Sequence, residues 1–351
     1  MRKMLQALQV AFTYIGTVVG AGFASGQEIL QFFTQYERIG SWAIGIAAML
    51  FVLAGIKLMV LAAETGSRSF EDLNRLLLGK KAGTVFSMFM LVVLLGTSAV
   101  MVAGAGSLFT EQFHIPFQLG ALITVICGYF VIIGGIRGLL TVNTIVVPIM
   151  LLFTVLILIE TWKLPTASNW LILKGDFNHW RAWLSPVLYS AFNLATAQAV
   201  LVPLGAEIRD RKVLIWGGAI GGISIGGMLM IAHFALSAHM PGIRQYEIPM
   251  GQLIGGLGTV VQLIYLFVIL GEIFTTLVAD VFGLSLQVQQ KSQLNGKLVI
   301  ICLLVTSFLI AQAGFSSLLS LLYPLFGLIS FFWLGTLFYH NSTLRPGSAQ
   351  H

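Results

Sequence analysis

The sequence predicts an all-α polytopic membrane protein with ten transmembrane helices, and three observations support this fold class. Of the 351 residues, 57% are hydrophobic and only 9% are charged, whereas about a quarter of the residues in a soluble domain are charged. Apolar segments of roughly 20 residues, the length that crosses a bilayer, follow one another along nearly the whole chain. The first of these segments is interrupted by a stretch rich in glycine.

Short polar segments containing Lys, Arg, Gly or Pro separate the predicted spans. Between the second and third spans, residues 70–78 predict a short interfacial helix. We predict one transmembrane domain over residues 1–345 and a short tail over 346–351. The ten predicted spans cover residues 5–35, 41–63, 83–109, 117–136, 141–163, 181–206, 212–237, 250–284, 296–313 and 317–339.

Orientation follows from the distribution of Lys and Arg, which are enriched in the cytoplasmic segments of membrane proteins. If the N-terminus is cytoplasmic, the inner segments contain 13 Lys and Arg residues and the outer segments contain five. We therefore predict a multi-pass protein of the plasma membrane with both termini in the cytoplasm. The same bias explains the net charge of +6, so the charge does not indicate a nucleic-acid partner.

Residues 16–28, with the sequence GTVVGAGFASGQE, interrupt the first span. A lipid-exposed break is costly because lipid offers no water to satisfy the freed backbone groups. Broken helices of this kind line cavities and direct their amides and carbonyls at a ligand or ion. The stretch therefore predicts a transporter-type binding site. The alternative is close helix packing through Gly16, Gly20 and Gly22, which resemble the spacing of small residues at helix contacts.

The sixth span predicts a second break. It contains Pro186 and Pro203, and between them the polar residues Asn193, Thr196 and Gln198. Spans one and six occupy corresponding positions if the chain consists of two five-helix repeats, and paired interruptions indicate a transporter site. The repeat is inferred from the hydropathy pattern alone, and the alternative for the polar residues is hydrogen bonding between helices.

With these features the chain resembles the YkvI-like amino-acid permeases of the amino acid–polyamine–organocation superfamily. The resemblance rests on the 16–28 motif, the ten spans and the two breaks, and it extends over essentially the whole chain. It implies a LeuT-type 5+5 inverted repeat with broken helices 1 and 6, in which repeat one covers about 5–163 and repeat two about 181–339. It says little about the substrate.

The resemblance implies that the half-helix after the first break binds the substrate's carboxylate. This agrees with physical chemistry, because a helix N-terminus presents unpaired amides and a partial positive charge. Carbonyls in span six would face the substrate's ammonium group, and the two phenylalanines are candidate gates whose alternative is ordinary packing. On span three, Thr97 is the alternative to Ser98. The predicted substrate-binding residues are Gly20, Ala21, Gly22, Phe23, Ser25, Ser98, Phe192, Asn193 and Thr196.

The resemblance also implies a sodium site, in which two adjacent hydroxyl residues of span eight face carbonyls of the first break. Oxygen atoms with little net charge suit this hard cation. In the alternative, both threonines bond back to carbonyls one turn earlier in their own helix. The predicted sodium ligands are Gly16, Val19, Glu272, Thr275 and Thr276.

Three carboxylates are predicted to act in coupling or gating. Glu272 lies well inside span eight, where an ionised carboxylate is costly unless it faces a cavity or carries a proton. It could serve as a proton carrier, as a cation ligand or as the partner of a cationic substrate, and the alternative is a structural bond to a neighbouring helix. Glu28 is predicted to line the outer vestibule, and Asp280 to pair with a nearby Lys or Arg in an inner gate.

The leading functional prediction is a secondary active transporter that moves a small amino acid or related zwitterion by alternating access, coupled to sodium. Its partners are then this small molecule and the lipid bilayer, and no cofactor is predicted beyond the coupling ion. One alternative is proton coupling through Glu272, and another is an amino-acid sensor without net transport. The sequence contains no zinc-protease or phosphate-loop motif, and we do not predict an enzyme.

Overall fold

The computed structural model describes residues 2–134, 137–173, 179–291 and 294–340. Within these ranges every regular element is helical, and two short 3-10 helices, Thr34–Tyr36 and Gly242–Gln245, connect longer ones. The predicted tail, 346–351, lies outside the described residues. The α-helices are α1 (Arg2–Val18), α2 (Ala21–Ser25), α3 (Gln27–Phe32), α4 (Arg38–Thr65), α5 (Phe70–Phe113), α6 (Phe117–Gly134), α7 (Arg137–Trp162), α8 (Asn169–Ile172), α9 (His179–Ile208), α10 (Arg211–Ala238), α11 (Pro249–Gly255), α12 (Thr259–Lys291), α13 (Gly296–Ala311) and α14 (Phe315–Tyr339).

Six helices in the described ranges are long and apolar enough to cross a membrane, namely α4, α5, α9, α10, α12 and α14. Shorter apolar segments, Phe117–Ile133, Pro148–Trp162 and Gly296–Ala311, lie in α6, α7 and α13. Together with the interrupted first segment, α1 to α3, these helices follow the order of the ten predicted spans. The protein is therefore a multi-pass α-helical membrane protein.

Gly79 divides α5 into two helical segments because its φ of 78° and ψ of 167° are not helical. The first segment starts with a capping box, in which Ser69 and Asp72 each bond the other's backbone amide through their side chains. It corresponds to the short helix predicted over residues 70–78. The second segment forms the span that was predicted over 83–109.

The eighth predicted span, 250–284, is divided in the structure. α11 ends at Gly255 and α12 begins at Thr259. Between them, Gly258 adopts a φ of 102°, through which an α-helix cannot continue. The first residues of the predicted span thus form a separate short helix.

The predicted break in span six is wrong, because α9 runs from His179 to Ile208 as one helix that includes both prolines. Two of the three polar side chains that suggested a break bond to carbonyls of their own helix instead, whereas the buried side-chain amide of Gln198 has no partner among the described residues. The Asn193 amide donates to the Tyr189 carbonyl at 3.0 Å, and the Thr196 hydroxyl donates to the Asn193 carbonyl at 2.9 Å. The two-repeat organisation, 5–163 and 181–339, stays a prediction.

Close helix contacts form the bundle around the broken first span. α4 packs against α9 and α10, α1 packs against α10, and α14 packs against α9. Gly222 on α10 permits one such contact, since a Cβ atom there would lie 2.7 Å from the Val52 amide nitrogen on α4. α12 packs against α5 and α2, which places the middle of α12 next to the break.

Candidate functional site

The break in the first span is centred on Gly20, whose backbone is extended with φ −110° and ψ −165°. The Val19 amide still donates to the Ile15 carbonyl at 2.7 Å, and the Ala24 amide donates to the Gly20 carbonyl at 2.9 Å. The end of α1 therefore presents carbonyls, and the start of α2 presents amides, that have no partner within a helix. Both sets of groups lie at the centre of the bundle.

A cavity of about 340 Å³ lies beside this break. Its walls come from α1, α2, α3, α5, α9, α12 and α14. Ala21 at one end is buried, whereas Ala199, Val200 and Ala279 at the other end are exposed, so the cavity opens on one face of the bundle. Among its lining residues are twelve that the sequence singled out: Gly16, Gly20, Ala21, Gly22, Glu28, Phe192, Asn193, Thr196, Glu272, Thr275, Thr276 and Asp280.

Four residues of the predicted sites do not line this cavity. The Ser25 hydroxyl donates to the Gly22 carbonyl at 3.0 Å, and the Ser98 hydroxyl donates to the Leu94 carbonyl at 2.7 Å. Phe23 instead lines a separate small space. Val19 is buried at the end of α1. These positions therefore lie behind the cavity wall.

Glu28 lies at the buried end of the cavity, with 5% of its surface exposed, and not in an outer vestibule as predicted. The Tyr189 hydroxyl donates to its carboxylate at 3.2 Å, and the Tyr323 hydroxyl also bonds to it. The carboxylate lies directly against Gly22, where a Cβ atom would overlap the Glu28 Oε1 atom. The first turn of α2 therefore already faces a carboxylate.

Tyr323 lines the cavity although it was not predicted, and Thr97, the alternative to Ser98, lines the cavity as well. The ring of Tyr323 on α14 lies 4.3 Å, centroid to centroid, from the ring of Phe192. The Thr97 hydroxyl on α5 donates to Asp280 Oδ2 at 2.5 Å. Thr97 thus takes the place predicted for Ser98. The signal for Tyr323 was a hydroxyl-bearing residue next to Pro324 inside an apolar span.

Asp280 does not have the cationic partner that was predicted for it. The ion pairs of the described residues join Lys3 to Asp210, Arg75 to Glu71, Lys163 to Glu160 and Arg211 to Glu64. Asp280 lies along the cavity wall, half-buried, with the Thr97 hydroxyl as its partner. Asp280 therefore contributes a carboxylate to the cavity lining and forms no ion pair among the described residues.

Glu272 and the two threonines that follow it lie on the cavity side of α12. Glu272 is 4% exposed, and no hydrogen bond or ion pair to its carboxylate occurs in the part of the chain that is described. The Thr275 hydroxyl donates to the Glu272 carbonyl at 3.2 Å, as the structural alternative expected. The Thr276 hydroxyl faces the break, 3.9 Å from where a Cβ atom on Gly20 would be.

Three contacts close the bundle around α2 and α3. The Tyr265 hydroxyl donates to the Ala24 carbonyl at 2.8 Å, and the Gln27 amide donates to the Ser316 hydroxyl at 2.8 Å. The Ser185 hydroxyl donates to the carbonyl of Phe32 at 2.6 Å. These contacts hold α2 and α3 against α12, α14 and α9.

The charged residues that line the cavity in the described part of the chain are all acidic. Glu28, Glu272 and Asp280 line it, and its described lining residues include no Lys, Arg or His. The described residues contain no group of three or more His, Cys, Asp or Glu side chains that could hold a metal ion. The arrangement suits a monovalent ion, a proton or an organic cation.

Comparisons with known proteins identify two relatives in sequence and one solved structure with a similar fold. No family model matches the sequence. The uncharacterized membrane protein YkvI of Bacillus subtilis (strain 168) is 38% identical over 332 residues, which cover 94% of this chain and 95% of that protein. The uncharacterized protein YyaD of the same organism is 25% identical over 321 residues, covering 91% and 92% of the two chains.

Among solved structures, the chain is similar to the Eremococcus coleocola manganese transporter in complex with an aromatic bis-isothiourea substituted compound. The TM-score is 0.50 and the identity is 15%, and the alignment covers 94% of this chain and 70% of the transporter. At this identity the similarity concerns the fold alone.

Proposed function

Since the chain belongs to the YkvI family of membrane proteins, we propose that it is a secondary active transporter of a small amino acid or related zwitterion. The observation that carries this proposal is the cavity of about 340 Å³ at the broken first span. Its volume falls in the range of small-molecule sites, roughly 300–1,000 Å³. The fold shared with a manganese transporter supports transport as the function.

Alternating access is the mechanism that this geometry favours. The cavity opens to one face, while contacts such as that of Tyr265 with Ala24 hold α2 against the rest of the bundle. A transporter needs a second state in which those contacts open and the mouth at Ala199 and Ala279 closes. In the LeuT-type arrangement that the resemblance implies, α2 and α3 are the segments that move, because the break gives them a hinge at Gly20.

Sodium is the coupling ion of the proposal. Gly16 and Thr276 line the same cavity, and the Thr276 hydroxyl faces the break. The Thr275 hydroxyl is already bonded to the Glu272 carbonyl, so Thr276 is the stronger candidate for a sodium ligand. Proton coupling is the second candidate, and it is favoured by the buried, unpartnered carboxylate of Glu272.

The test is uptake into proteoliposomes, combined with thermal unfolding of the purified protein. Amino acids and small amines are compared in sodium and in choline at two pH values. A ligand at a hundredfold excess over its Kd stabilises by about 2.7 kcal/mol. A shift that needs both sodium and one compound supports sodium symport, whereas a shift sensitive only to pH supports proton coupling. Binding without uptake or counterflow supports a sensor.

Paired variants test the sodium site. Thr276→Val is expected to abolish sodium dependence, and Thr275→Val to weaken it less, because only the first hydroxyl is free to bind an ion. Thr306→Val is the matched control, since Thr306 is an exposed residue on α13 whose hydroxyl bonds back to Cys302. Full sodium dependence in Thr276→Val contradicts the site.

A further inference from the structure

We propose that the substrate is a small organic cation, an amine with net positive charge, whose ammonium group binds the carboxylate of Glu272. This rests on the proposed transport function and replaces its amino-acid substrate with an amine that lacks the carboxylate. Three carboxylates and no basic residue occur among the described residues that line the cavity. A cavity with one sign of charge concentrates ligands of the opposite sign.

Glu272 differs from the other two carboxylates in having no partner. Hydroxyls of Tyr189 and Tyr323 bond to Glu28, and the Thr97 hydroxyl bonds to Asp280. Glu272 has 4% of its surface exposed and lines the cavity, and in the described part of the chain nothing bonds to its carboxylate. A buried charge left unpaired is costly, so this group is the one that a ligand's ammonium would satisfy.

Glu28 acts against a ligand carboxylate. A zwitterion bound as the resemblance implies would place its carboxylate at the amides of Ala21 and Gly22. The Glu28 carboxylate lies against Gly22 in that place, and two like charges there repel each other. An amine without a carboxylate avoids this repulsion and keeps the attraction to Glu272. The cavity lining thus favours a ligand with an ammonium group, through Glu272, and disfavours a ligand with a carboxylate, through Glu28.

The experiment compares ligands that differ only in the carboxylate. Alanine is paired with ethylamine, and lysine with 1,5-diaminopentane. Binding is measured by thermal shift, and transport by uptake into proteoliposomes. We expect the amine of each pair to bind about tenfold more tightly or better, as like-charge juxtaposition penalises the acid. Glu272→Gln should weaken the binding of both members of each pair, because both carry the ammonium group, and Glu272→Asp should weaken it less because the carboxylate remains. Glu28→Gln should remove the preference for the amine, because Glu28 is the group that lies where the acid would bind.

Glu160→Gln is the control, because Glu160 pairs with Lys163 on the exposed end of α7 and should leave the preference unchanged. Tighter binding of the amino acid than of its amine overturns the inference and leaves the proposed transport function standing. Unchanged amine binding in Glu272→Gln also overturns it. Neither binding nor uptake of any compound by the native protein overturns the inference and the proposed function together. If Glu272→Gln does not fold, the comparison of each amine with its amino acid on the native protein still tests the inference.

Discussion

The α1–α2 break and the middle of α9 both line the cavity. They differ in whether their backbone carbonyls and amides have hydrogen-bond partners. At the break, Gly20 is extended, and the end of α1 and the first turn of α2 present carbonyls and amides that have no partner within a helix. In α9, the Asn193 and Thr196 side chains bond to carbonyls of their own helix, which stays continuous. The difference teaches that glycine exposes backbone groups in this bundle, whereas Asn and Thr cover them.

The consequence is a division of roles across the cavity. The break supplies bare backbone groups and the carboxylate of Glu28, while α9 supplies a continuous apolar and hydroxyl-lined wall. A moving hinge and a rigid wall are both needed if α2 and α3 change position during transport. Four substitutions test this contrast.

Gly22→Ala is expected to have the largest effect. The added Cβ would overlap the Glu28 carboxylate, so either α2 or Glu28 must move. We expect a stability loss of about 1–3 kcal/mol, as for other overpacked sites, and a loss of most ligand binding. Thermal unfolding and uptake measure the two effects. Gly45→Ala is the control, because a Cβ at that helical position meets nothing within 4 Å. If the two variants have equal stability and equal uptake, then Gly22 is not tightly packed against Glu28.

Tyr189→Phe tests how firmly the break is held to α9. The substitution removes the hydroxyl that donates to Glu28 at 3.2 Å and leaves the ring contacts with Phe32 and Phe33 in place. Hydrogen bonds to charged groups contribute about 1.5–3 kcal/mol, and we expect a stability loss in or below that range. Tyr339→Phe, at a tyrosine that is 90% exposed, is the control. A Tyr189→Phe protein as stable as this control would show that Tyr323 alone holds Glu28.

Thr196→Val tests whether the α9 wall is rigid. The variant keeps the side-chain shape but loses the hydroxyl that donates to the Phe192 and Asn193 carbonyls. We expect a loss of only about 0.5–1.5 kcal/mol, with α9 still helical and with little change in transport. Hydrogen exchange of the α9 amides and uptake provide the measurements. Fast exchange in this segment would show that α9 opens after all, and a large transport defect would assign the hydroxyl to the ligand.

The sequence was sufficient to predict the order of the spans and the break at Gly20, because glycine and apolar length act locally. It was not sufficient for α9, where the same polar residues can break a helix or bond back to it. It also left Thr97 and Ser98 as alternatives, since they are neighbours in an apolar stretch and neighbouring residues on a helix point about 100° apart, and the structure places Thr97 on the cavity. The contacts of Glu28 with Tyr189 and Tyr323 join α3, α9 and α14, which no local pattern can indicate.

The smallest effect is expected at the Lys3–Asp210 ion pair, which ties the start of α1 to the loop after α9 at 2.7 Å. The hydrogen bond from Lys3 lowers the pKa of the Asp210 carboxyl. A lowered folded-state pKa contributes stability above the unfolded value, near pH 4 for Asp, and this contribution is lost as the pH falls through the folded value.

Thermal midpoints of the native protein and of Lys3→Met should therefore differ slightly at pH 7 and converge in acid and at high salt, because an exposed pair is screened. Lys163→Met, which removes the exposed partner of Glu160 on α7, is the control for general surface charge. If Lys3→Met also changes uptake while Lys163→Met does not, then the pair restrains the movement of α1 against α9. The Lys3–Asp210 ion pair would then affect the movement at the break as well as the stability of the protein surface.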